Sequence, residues 1–262
     1  MSFPKILLYG FVALILAWLI IPILIILPMS FSGARFLAFP PPSWSLRWYQ
    51  EYLTSASWMQ ATRVSLTVAV CASIIATVIG TAAAYALNLT QSRLVKSMQA
   101  LLLLPLIVPI VITAVGVFLV YAQVGLLATM TGLILANVML GLPYVVTSVL
   151  VGLRKFDHTQ EMVSRSLGMN RWRTFFAVTL PQIRPSVISG LLFAFISALD
   201  ETVVSLFISG GQYQTLTKKM FTALRDEIDP TIASISSMLT AISFILLMLA
   251  ALNARTAERS RG

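Results

Sequence analysis

Between Ile6 and Met29 the chain carries no charged residue, and comparable apolar runs recur almost to its end. A helix needs ~20 such residues to cross ~30 Å of hydrocarbon, so each run is long enough to span a bilayer. Six can be drawn: Ile6 to Met29, Arg63 to Leu87, Met98 to Tyr121, Leu126 to Leu150, Val187 to Ile208 and Thr231 to Leu252. The first is too long for a signal-peptide core and lacks a cleavage site directly behind it, so it is expected to be retained as a span. Of 262 residues, 58% are hydrophobic and 10% charged, with a mean hydropathy of +0.90. Soluble domains carry about a quarter charged residues. The composition excludes an ordinary soluble enzyme and predicts an all-α polytopic membrane protein with six transmembrane helices, a single domain over residues 1–262.

Lys and Arg number 18 against nine Asp and Glu, a formal charge of +9. No dense basic block accompanies this excess, so it speaks for membrane topology and not for nucleic acid. With the N-terminus inside, twelve basic residues fall on the inner side, six of them between Arg154 and Arg184. Arg35, Arg47, Arg63, Lys218, Lys219 and Arg225 fall outside. This two-to-one excess predicts both termini, and the 154–184 loop, in the cytoplasm. The stretch Ser30 to Gln60, with Trp44, Trp48, Tyr49 and Trp58, suits a loop and short helix at the membrane interface. Cys71 is the sole cysteine and His158 the sole histidine, so neither a disulfide framework nor a Cys/His metal cluster can be assembled in one chain.

The 154–184 connection is the informative one. From Glu161 to Ser166 it reads as a helix ended by Gly168, which tolerates the left-handed conformation. Asn170 then caps a second short helix, with Pro181 and Pro185 expected to close it. Trp172, Phe175 and Phe176 on that second helix would present apolar groups beside Arg165, Arg171 and Arg173. The plainer reading of this composition is a basic loop lying on lipid headgroups.

The residues Glu161, Ser166, Leu167-Gly168 and Asn170, with Val178 and Leu180-Pro181 at a fixed distance, resemble the cytoplasmic loop of permease subunits in ATP-binding cassette importers. Ala198-Leu199-Asp200-Glu201-Thr202-Val203-Val204, Met220-Phe221 and Asp229-Pro230 look most like the second permease of spermidine/putrescine-type importers in the bacterial inner membrane. The resemblance implies that 154–184 is a coupling helix-turn-helix between transmembrane helices 4 and 5. It implies as partners two copies of an ATPase subunit, a second, homologous permease, and an extracytoplasmic binding protein. In this family the two alanines after the glutamate are replaced here by Met162 and Val163, and with Gly168 as the anchor the glutamate position can fall on Met162. No G-x-x-x-x-G-K-[ST] occurs, so no cofactor is expected in this chain, and ATP and Mg would be bound by the partner ATPase.

Of the nine acids only Asp200 and Glu201 lie in an apolar run. A charge facing lipid there costs ~2.5 to 3.5 kcal/mol, so both are expected to meet a cavity or another helix. On one helix they would point about 100° apart, making them candidate pathway residues for a cation. The alternative is a structural role, in an ion pair or a hydrogen bond to a neighbouring helix. Pro105, Pro109 and Pro143 would bend their helices, and Gly80 with Ala82, Ala83 and Ala84 would admit a close neighbour. Two other classes compete. A secondary transporter of a small cation would use intramembrane acids too, but commonly shows repeated halves, and none is evident between residues 1–130 and 131–262. An intramembrane hydrolase needs a nucleophile and base, yet Ser189 has no evident partner and His158 lies in a loop. A permease for another small solute is the remaining alternative.

Overall fold

The computed structural model describes residues 3–89, 92–226 and 228–259; the side chains of 3–7, 96, 247 and 249–259 are outside the description. Lys5, Lys96, Arg255, Arg259 and Arg261, which entered the charge count, therefore lie outside the described side chains. The helices are α1 (Phe3–Ser30), α2 (Arg47–Thr54), α3 (Ala56–Asn88), α4 (Arg93–Ile107), α5 (Ile110–Val124), α6 (Met130–Lys155), α7 (Thr159–Ser166), α8 (Arg171–Thr174), a π-helical turn (Phe175–Thr179), α9 (Leu180–Asp200), α10 (Val203–Ile208), α11 (Leu216–Asp226) and α12 (Thr231–Arg259). Extended pairing among the described residues is limited to the isolated bridges Ser32 to Trp44 and Gly210 to Tyr213.

The structure differs from the sequence expectation in the continuity of the spans. Four described helices are long and apolar enough to cross a membrane: Leu8–Ser30, Ala56–Asn88, Met130–Lys155 and Arg171–Asp200. The expected third span is two helices, Arg93–Ile107 and Ile110–Val124, bent by 103°. Pro109 supplies the reason, since it lacks an N–H and pushes Val108 to an extended ψ of 132°. The expected fifth span breaks at Glu201, and the expected last span, Thr231 to Leu252, lies within α12, its final residues falling outside the described side chains.

The chain divides into two compact units. One comprises residues 1–59 and 219–243. Here the aromatic stretch forms a short helix and loop as expected: Tyr49 stacks on Phe31 at 5.3 Å and its hydroxyl lies 2.8 Å from Ser30 Oγ, while Trp48 Nε1 donates to Ala34 O at 3.0 Å. Ser234 Oγ donates to the Ser30 carbonyl at 3.1 Å, joining α12 to the end of α1. From Leu8 to Met29 helix α1 is apolar on every face and none of these residues is buried, with Trp18 76% exposed. A helix of that kind requires lipid or another chain around it.

The other unit, residues 60–218 and 244–262, is built around α6. Val145, Val146, Val149 and Leu153 are fully buried there among Ala72, Ala76, Ile183 and Ala194. Small residues set the helix spacing. A Cβ on Gly80 of α3 would sit 2.8 Å from Val145, and one on Gly190 of α9 would sit 3.1 Å from the Val145 backbone, so glycine lets both helices approach α6. Ser148 Oγ donates to the Ser186 carbonyl at 2.7 Å across the α6/α9 contact. Within this unit the connections segregate to opposite ends. Asn88 meets His158 at 3.3 Å at one end, whereas Ala128 N–H donates to Ile208 O and Leu216 N–H to Ser65 Oγ at the other, both at 2.8 Å.

Candidate functional site: a two-helix knob and an acidic cavity

The loop expected to carry two short helices does so. Asp157 Oδ1 accepts the Thr159 N–H at 2.9 Å and opens α7; the Thr159 bonds hold its carboxyl below the usual carboxylate range. Gly168 ends the helix at φ +90°, with Gly168 N–H donating to Arg165 O at 3.0 Å and Met169 N–H to Ser164 O at 3.2 Å. These two bonds define a Schellman stop. Asn170 then caps α8, its side-chain oxygen accepting Arg173 N–H at 2.8 Å. The stop and the start are two residues apart, so the chain reverses sharply.

The expected closure at Pro181 and Pro185 is corrected by the structure. The chain remains helical from Arg171 to Asp200, passing through the π turn at Phe175–Thr179. Pro181 falls in the first turn of α9, where an N–H is dispensable, and the wider π turn just before it absorbs the local mismatch. The second helix of the knob is thereby the direct extension of a long apolar helix.

What holds the knob together was not visible in the sequence pattern. Glu161 is only 8% exposed, and its carboxylate accepts a hydrogen bond from Thr179 Oγ1. Tyr85 of α3 lies beside Glu161 and Arg171, and its ring meets that of Phe175 at 4.7 Å. Ser164 Oγ reaches Thr174 Oγ1 at 3.2 Å, and Gln182 donates to Gln160. Thr179 is the spacer between Val178 and Leu180-Pro181. Ser166, Gly168, Asn170 and Pro181 are exposed and Leu180 is half-buried. Leu167 is 81% exposed and Trp172 75%, so the tip is apolar and open while the acid is inside. Met162, the other candidate for the glutamate position, is 62% exposed.

This geometry predicts that Glu161→Ala leaves the Thr179 hydroxyl without its acceptor. Loss of a hydrogen bond to a charged group costs about 1.5–3 kcal/mol. In limited trypsin digestion of membranes, cleavage at Arg165, Arg171 and Arg173 is expected to accelerate about tenfold in Glu161→Ala, less in Glu161→Gln, and not in Met162→Ala. Equal rates in Glu161→Ala and the unaltered chain would show that the buried acid does not hold the knob.

At the opposite end, a cavity of 570 Å³ is lined by Asp200, Glu201 and Thr202 with Tyr144, Phe193 and Ser197. Contrary to the sequence expectation, the two acids do not share a helix. Asp200 is the last residue of α9, and Glu201 turns to an extended ψ of 113°. Asp200 is exposed to the cavity and Glu201 is half-buried. The Glu201 carboxylate accepts Val204 N–H at 2.6 Å, Ser205 N–H at 2.9 Å and Ser205 Oγ–H at 2.8 Å. Among the described residues the Asp200 carboxylate has no such donor. The structure thus brings both predicted acids to one cavity and gives them different surroundings.

A helical membrane chain with a glycine-stopped two-helix knob continuing one of its long helices is the class these features define. The chain belongs to the family described as the binding-protein-dependent transport system inner membrane component, matched over residues 76–258. It is 33% identical to the putrescine transport system permease protein PotI of Escherichia coli K12, covering 89% of this chain and 84% of PotI. It is 29% identical to the spermidine/putrescine transport system permease protein PotC of Haemophilus influenzae, covering 94% and 95%. Its fold is similar to a chain of a bacterial ABC transporter involved in the import of the acidic polysaccharide alginate, with a TM-score of 0.73, 16% identity and coverage of 98% and 96%. A second structure of an alginate transporter, in complex with a periplasmic protein bound to alginate pentasaccharide, gives a TM-score of 0.70 at 15% identity, covering 98% and 95%. The chain is an ABC importer permease and not an enzyme in its own right.

Proposed function

We propose that this chain is one of two permeases in an ATP-driven polyamine importer of the bacterial inner membrane. Six crossings place both termini and residues 154–184 in the cytoplasm, and residues 1–262 act as one permease domain. The knob docks in a separate ATPase subunit, of which two copies bind ATP and Mg, and α9 carries the resulting motion into the membrane. A second, homologous permease covers the bare surface of α1 together with lipid, and a binding protein delivers substrate from outside.

The observation that carries the polyamine assignment is the similarity to putrescine and spermidine/putrescine permeases over nearly the whole chain, joined to a free carboxylate in an otherwise largely apolar cavity. An ammonium group entering that cavity loses hydration, and Asp200 offsets part of the cost. The molybdenum permease ModB of Mycobacterium bovis, 28% identical over 85% of this chain, represents the competing solute class. Molybdenum taken up as an oxyanion would be repelled by Asp200. Uptake of labelled putrescine, spermidine and molybdate by vesicles containing the complete complex tests the assignment. ATP-dependent uptake of the amines alone is expected, and uptake of molybdate alone would overturn it.

Topology has its own test. Ser209, at 5% exposure, would shield a reporter thiol, whereas Gln212 is exposed at the same end of the unit. Cysteines at Ser166 and Gln212, each in a Cys71→Ser background, are expected to react from opposite sides of the membrane. Modification of both by an impermeant reagent outside intact cells would refute the proposed orientation.

A further inference from the structure

We infer that Glu201 is a positioning residue that holds Asp200 in the cavity and does not itself bind the transported cation. The inference rests on the reading of Asp200 given above. Glu201 leaves the helical conformation, so α9 stops at Asp200 and the next side chain turns back onto α10. Three donors, the N–H groups of Val204 and Ser205 and the Ser205 hydroxyl, converge on its two oxygens at 2.6 to 2.9 Å. A carboxylate has about four acceptor sites, so most of its capacity is already committed to the first turn of a six-residue helix.

The rest of the break is fastened just as directly. Thr217 Oγ1 donates to the Glu201 carbonyl at 2.8 Å. At the far end of α10, Lys218 Nζ donates to the carbonyls of Leu206 and Ser209. A carboxylate at the N-terminus and an ammonium at the C-terminus are the signs that a helix dipole favours at those ends. So short a helix has little stability of its own; the burial of Val204 and Ile208 and the two end charges together retain it. The break in turn fixes where α9 ends, and therefore where Asp200 stands. One acid builds the turn; the other faces the cavity beside Tyr144, Phe193 and Ser197.

Two measurements on the complete complex in vesicles separate positioning from binding. The first is a double-mutant cycle on ATP-dependent putrescine uptake with saturating binding protein. Glu201→Gln and Ser205→Ala are each expected to lower the rate about three- to tenfold, and the double variant to match the worse single one, because residues in one hydrogen-bond network are not additive. Multiplying losses would mean that Glu201 acts independently of α10 and would overturn the inference. The second measurement needs no transport. With Ser197→Cys in a Cys71→Ser background, the ratio of modification rates by cationic and neutral methanethiosulfonates reads the local potential. Asp200→Asn is expected to lower that ratio about threefold or more, while Glu201→Gln leaves it within about twofold, since a carboxylate surrounded by donors projects less field. An equal fall in both variants would overturn the inference. Failure of the unaltered complex to move putrescine would count against the polyamine assignment, and the labelling ratio would still decide the role of Glu201.

Discussion

Gly168→Val is expected to abolish recovery of the ATPase with this subunit while leaving membrane insertion intact. Gly168 sits at φ +90° with open space where a Cβ would project, so the obstacle is conformational and not steric crowding. A β-branched residue held there costs about 1–3 kcal/mol, enough to favour an alternative turn and separate α7 from α8. Both the Schellman stop and the Asn170 cap depend on that reversal. The exposed tip residues Leu167 and Trp172 would then be presented in the wrong relative positions. Co-purification of the ATPase is expected to fall at least tenfold, with substrate-stimulated ATP hydrolysis falling alongside it. Gly168→Asn should retain much of both, because asparagine enters the left-handed region more readily. Normal assembly and hydrolysis in Gly168→Val would sink the assignment of this turn to ATPase docking.

Asp200→Asn is expected to lower polyamine uptake about tenfold or more with the complex fully assembled. An ammonium 4 Å from a carboxylate gains ~4 kcal/mol at an effective dielectric constant of 20, before desolvation is counted. A tenfold loss corresponds to ~1.4 kcal/mol, well within that limit. The neutral isostere keeps the size of the side chain, and no donor among the described residues depends on the native charge. Asp200→Glu should recover part of the rate, since it restores the charge at a longer reach. Unaltered uptake of every cationic candidate by Asp200→Asn would remove the electrostatic support for a polyamine and leave only the similarity to permeases for such solutes. Loss of assembly would instead assign Asp200 a structural role.

Apolar run lengths located the long helices because lipid and backbone hydrogen bonding leave few alternatives to a helix. Pro109 marked a bend that the structure shows as a break between two helices, but the interruption at Glu201 was not located, since periodicity and hydropathy are the same on both sides of it. The glycine stop and asparagine cap were readable as local chemistry, each acting within a few residues of itself. Pro181 was misread for the same locality: a proline signals a helix boundary unless a wider turn precedes it, and the π turn at 175–179 leaves no mark in composition.

The sequence by itself determined the helical class, the position of the two-helix knob, and Asp200 and Glu201 as the only acids in an apolar run. Each follows from hydration cost or backbone preference, properties that a residue carries wherever it is placed. Only the tertiary structure decided that Glu161 is enclosed by Thr179 and Tyr85, and that Glu201 is consumed by α10 while Asp200 stays open to a cavity. Those distinctions depend on which donors arrive within 3 Å of a carboxylate. The Glu161 donor comes from 18 residues along the chain and the Glu201 donors depend on a backbone turn of a single residue, and neither is encoded in the local spacing of the acids.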